Sequence, residues 1–185
     1  MALPTQRILI VAIEDGGEAH ALREVAERFF ATVDFVGIGE TRDLIETLNA
    51  GQDVALVVLC CHGKDGAILM PELAEPLASQ QPFQGPLTPD HIRTHVTLHG
   101  RRILCTGCST GVAQMGAAFL DAGCEWFVAP DGYPDGAETF MFTTHFLYLL
   151  LHRGMNVGDA VEMARRAEND RGLFRLYGGR AVSGV

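Results

Sequence analysis

The stretch VALVVLC, residues 54–60, is the most apolar part of the sequence and has the length of one β-strand. An uninterrupted apolar run of this length is typical of a parallel strand that is buried on both faces of a sheet. Two similar runs precede it, RILIVAI at residues 7–13 and VDFVGI at residues 33–38. We therefore expect residues 54–60 to form a central strand of a parallel sheet.

The segments between these runs have the periodicity of amphipathic helices. After residues 7–13, apolar side chains recur at the spacing i, i+3, i+4, i+7, and Asp15 is predicted to cap this helix. Thr41 is predicted to cap the next helix, and Gly51 to end it. Alternation of strand and helix predicts an α/β fold with helices on both faces of the sheet.

The second half of the chain continues this alternation. Strands are predicted at residues 102–105, 126–129 and 173–177. Helices are predicted after the caps Thr88, Ser109 or Thr110, and Asn156, the last over residues 157–169, and a further buried helix is predicted over residues 137–153. The expected architecture is a three-layer α/β/α fold with a mainly parallel sheet of about six strands. In such a fold the functional site lies beyond the carboxyl ends of the strands.

Length and composition fit one domain over residues 1–185. The chain has 185 residues, of which 48% are apolar and 20% charged. Five of the eight prolines fall within residues 71–89, which predicts a surface loop there. No apolar run approaches the roughly 18 residues that a membrane span requires. The N-terminus does not have the pattern of a secretory signal.

The net charge bears on the partners of the protein, and the cysteine content bears on its location. The chain has 14 Lys and Arg against 23 Asp and Glu, a net charge of −9, which repels nucleic acid and anionic membrane surfaces. Its five cysteines are an odd number in apolar surroundings, which predicts reduced thiols and a cytoplasmic location. Cys60, Cys105 and Cys124 are expected to be core residues because each lies in or beside an apolar strand.

Reactive side chains follow two of the predicted strands. His62-Gly63 comes just after residues 54–60, and Cys108 comes just after residues 102–105. If the two strands are neighbours, His62 and Cys108 lie on one rim of the sheet. The imidazole and the N-terminus of a helix starting near Ser109 are expected to lower the pKa of the thiol. The backbone amides of Gly63 and Cys108 would then face a developing oxyanion, which is an arrangement for acyl transfer.

The order of these motifs resembles that of a known family. The stretches LVVLCCHG at residues 56–63, PLT at 86–88 and ILCTGCSTG at 103–111 are similar to those of caspase-like, clan CD cysteine peptidases of the CHAT type. In that family one apolar strand ends in His-Gly, and a later strand ends in a small residue and Cys, followed by x-Thr-Gly. The resemblance covers about residues 50–178, including Tyr177-Gly178 in the last strand.

The resemblance implies a caspase-hemoglobinase fold, a cysteine endopeptidase with a peptide or protein substrate, and no cofactor. His62 would be the general base and Cys108 the nucleophile. Such domains also act with a second copy or a regulatory protein, so a homodimer or a regulatory partner is an expectation. Some members cleave after basic residues, and Asp131 and Asp135 would bind Arg or Lys there. Gly107 departs from the Ala that is frequent in the family, and Asp131-Gly132-Tyr133 replaces a Trp.

Other functions are open at this level. Residues 107–111 also match G-x-S-x-G, in which Ser109 would be the nucleophile of a serine hydrolase. Cys105 and Cys108 form a C-x-x-C motif that, with Cys60, Cys61 and His62, is a candidate for zinc binding or dithiol chemistry. His91, His95 and His99 are spaced by four residues and are a second metal candidate if one helix carries all three. A catalytically latent signalling or scaffold module is the non-enzymatic alternative.

Overall fold

The computed structural model describes residues 6–14, 16–50, 54–167 and 173–179. Within these ranges the strands are β1 (Arg7–Ile13), β2 (Thr32–Ile38), β3 (Leu56–Cys60), β4 (Gly63–Lys64), β5 (Ala67–Ile68), β6 (Arg102–Cys105), β7 (Trp126–Pro130) and β8 (Phe174–Gly178). The helices are α1 (Gly16–Arg28), α2 (Thr41–Asn49), α3 (Pro89–His95), α4 (Ala113–Asp121), α5 (Gly136–Leu147) and α6 (Val157–Ala167). A 3₁₀ turn covers Ala78–Gln80, and a π-helical turn over Tyr148–His152 follows α5.

Six strands form one sheet in the order β2-β1-β3-β6-β7-β8. All neighbouring pairs are parallel except β7 and β8, which are antiparallel. The predicted α/β class, mainly parallel six-stranded sheet and internal position of β3 are therefore confirmed. Consecutive β-α-β units produce this arrangement because a parallel neighbour requires a crossover connection, here supplied by helices.

Helices cover both faces of the sheet, and β3 contributes side chains to both cores. Val57 and Leu59 belong to the core that also contains Leu44 of α2 and Phe119 of α4. Leu56, Val58 and Cys60 belong to the opposite core, beside α1, α5 and α6. Alternation of this kind follows from the two-residue period of a strand, and it explains why β3 is apolar at every position.

Several helix ends agree with the sequence. Thr88 accepts a hydrogen bond from the backbone N–H of His91 at the start of α3 (3.4 Å). Asn156 accepts one from the N–H of Asp159 at the start of α6 (3.0 Å). Both predicted caps are therefore confirmed, because a short polar side chain satisfies an N–H that has no partner within the helix. The predicted cap Asp15 and the predicted helix end Gly51 lie outside the described residues.

Three helix boundaries differ from the prediction. Glu40, not Thr41, is the N-cap of α2, because the Thr41 hydroxyl bonds to the segment 81–83 instead. α4 begins at Ala113 rather than at Ser109 or Thr110. The helix predicted over residues 137–153 changes to π-helical hydrogen bonding at Tyr148. Periodicity alone does not reveal these ends, since tertiary contacts of single residues decide them.

A short hairpin, β4–β5, follows β3 and was not predicted. Asp65 and Gly66 form its turn with φ values of 51° and 79°. An Asp-Gly pair with both φ angles positive is preferred in two-residue hairpin turns. The hairpin also bridges to the segment 71–89, because Ile68 pairs with Leu87. No helix among the described residues is long and apolar enough to cross a membrane.

Candidate active site

The candidate site lies at the carboxyl ends of β3 and β6. These strands are hydrogen-bonded neighbours, with Leu59 of β3 beside Cys105 of β6. His62 follows the end of β3, and Cys108 follows the end of β6, so both residues emerge at the same edge of the sheet. The prediction that the two strands are neighbours is confirmed.

Thr106 joins the two strand ends to each other and to α1. Its backbone N–H donates to the carbonyl oxygen of Leu59 (2.9 Å), and its hydroxyl oxygen accepts from the N–H of Cys61 (3.3 Å). The same hydroxyl donates to the carboxylate of Glu18 (3.1 Å). Thr106 is buried, so these hydrogen bonds are protected from water. The segment that carries His62 is thereby held in register with the segment that carries Cys108.

Two glycines allow these segments to pack backbone against backbone. A Cβ atom at Gly63 would lie 2.2 Å from the carbonyl oxygen of Cys108, and one at Gly107 would lie 2.9 Å from Sγ of Cys61. Real Cβ atoms do not approach other atoms this closely, so each position requires glycine. Glycine rather than alanine at position 107 leaves space for the sulfur of Cys61, which a Cβ atom would approach to 2.9 Å.

Cys108 lies in a turn, residues 106–111, that forms hydrogen bonds within itself and to residues 130–132. The Thr110 hydroxyl donates to the carbonyl oxygen of Gly107 (2.7 Å). The N–H of Ser109 donates to Gly132 (2.6 Å), and that of Gly111 donates to Pro130 (2.8 Å). Ser109 has a φ of 59°, which reverses the chain there. This left-handed residue is the reason that the helix does not start at Ser109.

The electrostatic environment of Cys108 differs from the prediction. Its thiol is half-buried, and burial raises its pKa, with the negative charges of Glu18 and Cys105 adding to the rise. The hydrogen bond from its own backbone N–H opposes the shift. The expectation that the pKa is lowered is wrong, because α4 begins at Ala113 and its N-terminal partial charge lies beyond the first turn's reach.

The thiol and the imidazole are not hydrogen-bonded to each other. Sγ of Cys108 lies 3.8 Å from the carbonyl oxygen of Pro134. The His62 side chain is exposed and makes no hydrogen bond within the part of the chain that the structure describes. Its backbone carbonyl accepts from Leu69 (3.0 Å), which ties the residue to the end of the hairpin. The position of His62 is therefore set by its backbone, and no hydrogen bond fixes its ring.

The two acids predicted to bind substrate lie in the loop 131–135, between β7 and α5. Asp131 forms an ion pair with Arg175 of β8 (3.3 Å). Asp135 caps α5, accepting from the N–H of Glu138 (2.8 Å), and Glu138 bonds back to the N–H of Asp135 (3.0 Å). Pro134 of this loop contacts Cys108. The loop thus borders the thiol, while each of its acids has an intramolecular partner.

A contact between this loop and the hairpin spans the neighbourhood of Cys108. The Tyr133 hydroxyl lies 3.4 Å from Oδ1 of Asp65 and accepts from the N–H of Asp65 at 3.3 Å. Tyr133 is nevertheless 62% exposed. Because the side chain is largely exposed and both hydrogen bonds are long, this polar contact can break at a small free-energy cost.

Sequence analysis did not identify Glu18, Thr106, Asp65 or Tyr133 as site residues. Glu18 has the position of a capping-box acid, three residues after Asp15, and this local pattern gives no indication of its contact with Thr106. The Asp65-Gly66 pair between two short apolar stretches is a recognisable turn signal, and it could have predicted the hairpin. For Tyr133 the sequence contains no comparable signal.

The serine-hydrolase and metal-binding alternatives are not assembled among the described residues. No hydrogen bond joins Ser109 to a histidine there, and His145 and His152 lie in α5 and the π-helical turn. No group of three His, Cys, Asp or Glu side chains in the described ranges is placed to hold a metal ion. Cys60, Cys105 and Cys124 are buried, which confirms their prediction as core residues.

The three-histidine candidate is divided by the end of a helix. α3 ends at His95, and His99 lies in a later turn with a φ of 49°. His91 stacks on Phe83, with ring centroids 4.0 Å apart, and its Nδ1 accepts from the N–H of Thr88 (3.3 Å). The structural role of His91 is therefore to complete the cap of α3.

Comparisons with known proteins define the class of fold. The chain is similar to separase in the crystal structure of the Saccharomyces cerevisiae separase–securin complex, with 16% identity and a TM-score of 0.57, over 95% of this chain and 12% of that chain. It is also similar to the crystal structure of drICE, a caspase, with 14% identity and a TM-score of 0.51, over 94% of this chain and 87% of that chain. No family model matches, and no curated protein sequence matches.

Both neighbours have clan CD, caspase-like folds. Identities this low show the fold alone: this chain has an α/β fold similar to that of these two neighbours. The chain spans only 12% of the separase chain.

Proposed function

We propose that this protein is a cysteine endopeptidase of the CHAT type, with Cys108 as nucleophile and His62 as general base. The observation that carries the proposal is the packing of Gly63 against the backbone of Cys108, where a Cβ would lie 2.2 Å from the carbonyl oxygen. This close approach brings the His62 segment next to a half-buried thiol at the edge of the sheet where α/β proteins bind their ligands.

The raised pKa of Cys108 makes a base necessary. His62 would turn toward the thiol as substrate binds, because catalytic hydrogen bonds are often incomplete without substrate. His62 then takes the thiol proton while sulfur attacks the peptide carbonyl carbon. The carbonyl oxygen becomes an oxyanion, which the backbone N–H groups of Gly63 and Cys108 would stabilise.

The tetrahedral intermediate collapses in the next step. The C–N bond breaks, and His62 returns the proton to the leaving amine, which leaves an acyl thioester on Cys108. Water, deprotonated by His62, attacks the thioester carbon, and the thiolate leaves and recovers its proton. The products are a carboxylic acid and an amine, so the proposed reaction consumes one water per bond and uses no cofactor.

Asp131 and Asp135 are proposed to bind a basic residue of the substrate. The side chain of Asp131 is partly exposed beside Arg175, so a substrate Arg or Lys would compete with that ion pair. Asp135 would attract the same charge from the start of α5. The proposal predicts cleavage after Arg or Lys in preference to Asp, and a peptide library with these three residues at the cleaved position distinguishes them.

A thiol-reactive peptide probe tests the catalytic pair. Labelling is expected at Cys108, absent in Cys108→Ala, and at least tenfold slower in His62→Ala. Ser109→Ala is the matched control, since Ser109 is the next residue and its hydroxyl has no role in this mechanism. Equal labelling of all variants, or its loss in Ser109→Ala alone, would contradict the proposal.

A catalytically latent module is the second candidate, and two observations favour it. The thiol and imidazole are not hydrogen-bonded among the described residues, and Tyr133 contacts Asp65 beside the thiol. In this case a regulatory protein or a second copy of the chain would rearrange the loop 131–135 before cleavage begins. Turnover that rises steeply with protein concentration would indicate the second copy.

A further inference from the structure

Cys61 and Cys105 form a pair of thiols at the base of the candidate site. Their Sγ atoms are 3.5 Å apart, and neither residue is part of a disulfide. Cys105 ends β6 and pairs with Leu59, and Cys61 directly follows the last residue of β3, Cys60. Both side chains belong to the same core, whereas Cys60 points into the opposite one. The topology therefore isolates this pair from the adjacent cysteine.

The two thiols are chemically unequal. The hydrogen bond from Cys61 lowers the pKa of Cys105, with help from Thr110, whose hydroxyl lies 3.4 Å from the Cys105 sulfur. The same hydrogen bond and burial raise the pKa of Cys61. The lower pKa of Cys105 favours the thiolate there over a thiolate at Cys61. A thiolate beside a protonated thiol is the arrangement from which a disulfide forms.

We infer that Cys61 and Cys105 are a redox pair, which a small peroxide oxidises to a disulfide, and that this disulfide switches off the neighbouring Cys108 site. The geometry that carries the inference is the 3.5 Å separation of the two sulfurs between the segments of His62 and Cys108. The regulatory part of the inference rests on the proposed function, whereas the formation of the disulfide does not.

The oxidation balances with one molecule of hydrogen peroxide. The Cys105 thiolate attacks a peroxide oxygen, the O–O bond breaks, and hydroxide leaves, giving a sulfenic acid at Cys105. The hydroxide takes the proton of Cys61 and becomes water. The Cys61 sulfur then attacks the Cys105 sulfur, the S–S bond forms, and hydroxide leaves and combines with the proton that Cys105 had released. Two thiols and one peroxide become one disulfide and two waters.

The disulfide changes the site because its bond is shorter than the present contact. An S–S bond is about 2.05 Å long, so the sulfurs must approach each other by roughly 1.5 Å. Cys61 directly precedes His62, and its sulfur lies against Gly107. The Thr110 hydroxyl contacts the Cys105 sulfur and also donates a hydrogen bond to the carbonyl oxygen of Gly107. Close-packed interiors transmit such displacements, so the spacing between His62 and Cys108 changes.

Mass spectrometry of a Cys108→Ser variant tests disulfide formation without any reference to peptidase activity. The protein is treated with hydrogen peroxide, its remaining thiols are blocked with N-ethylmaleimide under denaturing conditions, and it is digested. A cross-link between the peptides containing residues 61 and 105 is expected, and dithiothreitol removes it. The cross-link persists in Cys60→Ala, the matched control, and is absent in Cys61→Ala. Maleimide on both Cys61 and Cys105 after oxidation overturns the inference.

Probe labelling of Cys108 tests the switch. Oxidation that cross-links the parent protein is expected to slow labelling of Cys108 at least tenfold, and dithiothreitol restores it. At the same peroxide dose, Cys108 is still labelled in the Cys61→Ala variant. This result distinguishes the effect of the disulfide from direct oxidation of Cys108. If Cys61→Ala does not fold, Cys105→Ala gives the same comparison. A cross-linked protein with unchanged labelling overturns the switch, and absence of peptide cleavage would overturn only the proposed function.

Discussion

The turn that carries Cys108 and the hairpin that follows His62 lie side by side, yet they are held in different ways. Ser109, Thr110 and Gly111 anchor the turn through hydrogen bonds to itself and to the loop after β7. The hairpin contains only two-residue strands and an Asp-Gly turn, and the His62 ring is exposed. The backbone around Cys108 is therefore held on several sides, whereas no hydrogen bond within the described residues fixes the ring of His62.

The largest effect is expected from Gly63→Ala, which disturbs both regions at once. The new Cβ would lie 2.2 Å from the Cys108 carbonyl oxygen, so the backbone of one of the two segments must move. We expect the free energy of unfolding to fall by about 3 kcal/mol, as in severe overpacking, together with loss of Cys108 labelling. Urea denaturation measures the first effect.

Gly37→Ala is the control for this substitution. Gly37 lies in β2, and a Cβ there has no neighbour within 4 Å. Its free energy of unfolding should change by less than about 0.5 kcal/mol. A Gly63→Ala protein as stable as this control would show that the two segments are not closely packed.

Thr106→Val is expected to have an intermediate effect, because it removes the hydroxyl that connects the two regions. The N–H of Cys61 and the carboxylate of Glu18 each lose a hydrogen-bond partner. The expected loss of stability is about 1–2 kcal/mol, and, under the proposed function, Cys108 labelling should slow because the segment of His62 shifts. Thr106→Ser keeps the hydroxyl and should retain most of the stability and most of the labelling rate of the parent protein. If Ser behaves like Val, the methyl group rather than the hydroxyl is responsible.

The pH dependence of labelling reports the charges near the turn. Burial and the charge of Glu18 raise the pKa of Cys108, so labelling by iodoacetamide should reach half its maximum at a higher pH than for an unperturbed thiol. Glu18→Gln removes one negative charge, favours the thiolate and shifts the profile to lower pH. Labelling at neutral pH should rise about twofold. A shift to higher pH would show that the charge of Glu18 does not act on this thiol.

The smallest effect is expected from Tyr133→Phe, which removes the polar contact between the loop and the hairpin. The Tyr133 hydroxyl is an exposed group with two long hydrogen bonds to Asp65. Stability should change by less than about 0.5 kcal/mol. Labelling of Cys108 by a bulky peptide probe should rise about twofold, whereas labelling by iodoacetamide stays constant. An equal change for both probes would indicate altered thiol chemistry instead of altered access.

Much of the fold was predictable, and the reasons are local. The apolar runs at 54–60 and 103–105 predicted buried strands because a strand covered on both faces favours apolar side chains. Thr88 predicted the start of α3, since a cap needs only one short polar side chain at one position. Each of these signals lies within a few consecutive residues.

Less of the candidate site was predictable, because its contacts join distant segments. Thr106 and Glu18 are 88 positions apart in the sequence, and the contact of Tyr133 with Asp65 spans 68. The helix predicted from Ser109 begins later because Ser109 has a left-handed φ of 59° and its N–H bonds to Gly132 of the loop after β7. No local pattern encodes which of these segments meet.

By itself the sequence determined the α/β class and the strands that end near His62 and Cys108. It could do so because hydrophobic periodicity and chain reversal are properties of short segments. Only the tertiary structure decided that the thiol of Cys108 is half-buried near Glu18 and has a raised pKa, and that Cys61 touches Cys105. Burial and electrostatic interaction depend on distances through space, and these distances exist only once the helices have packed onto the sheet.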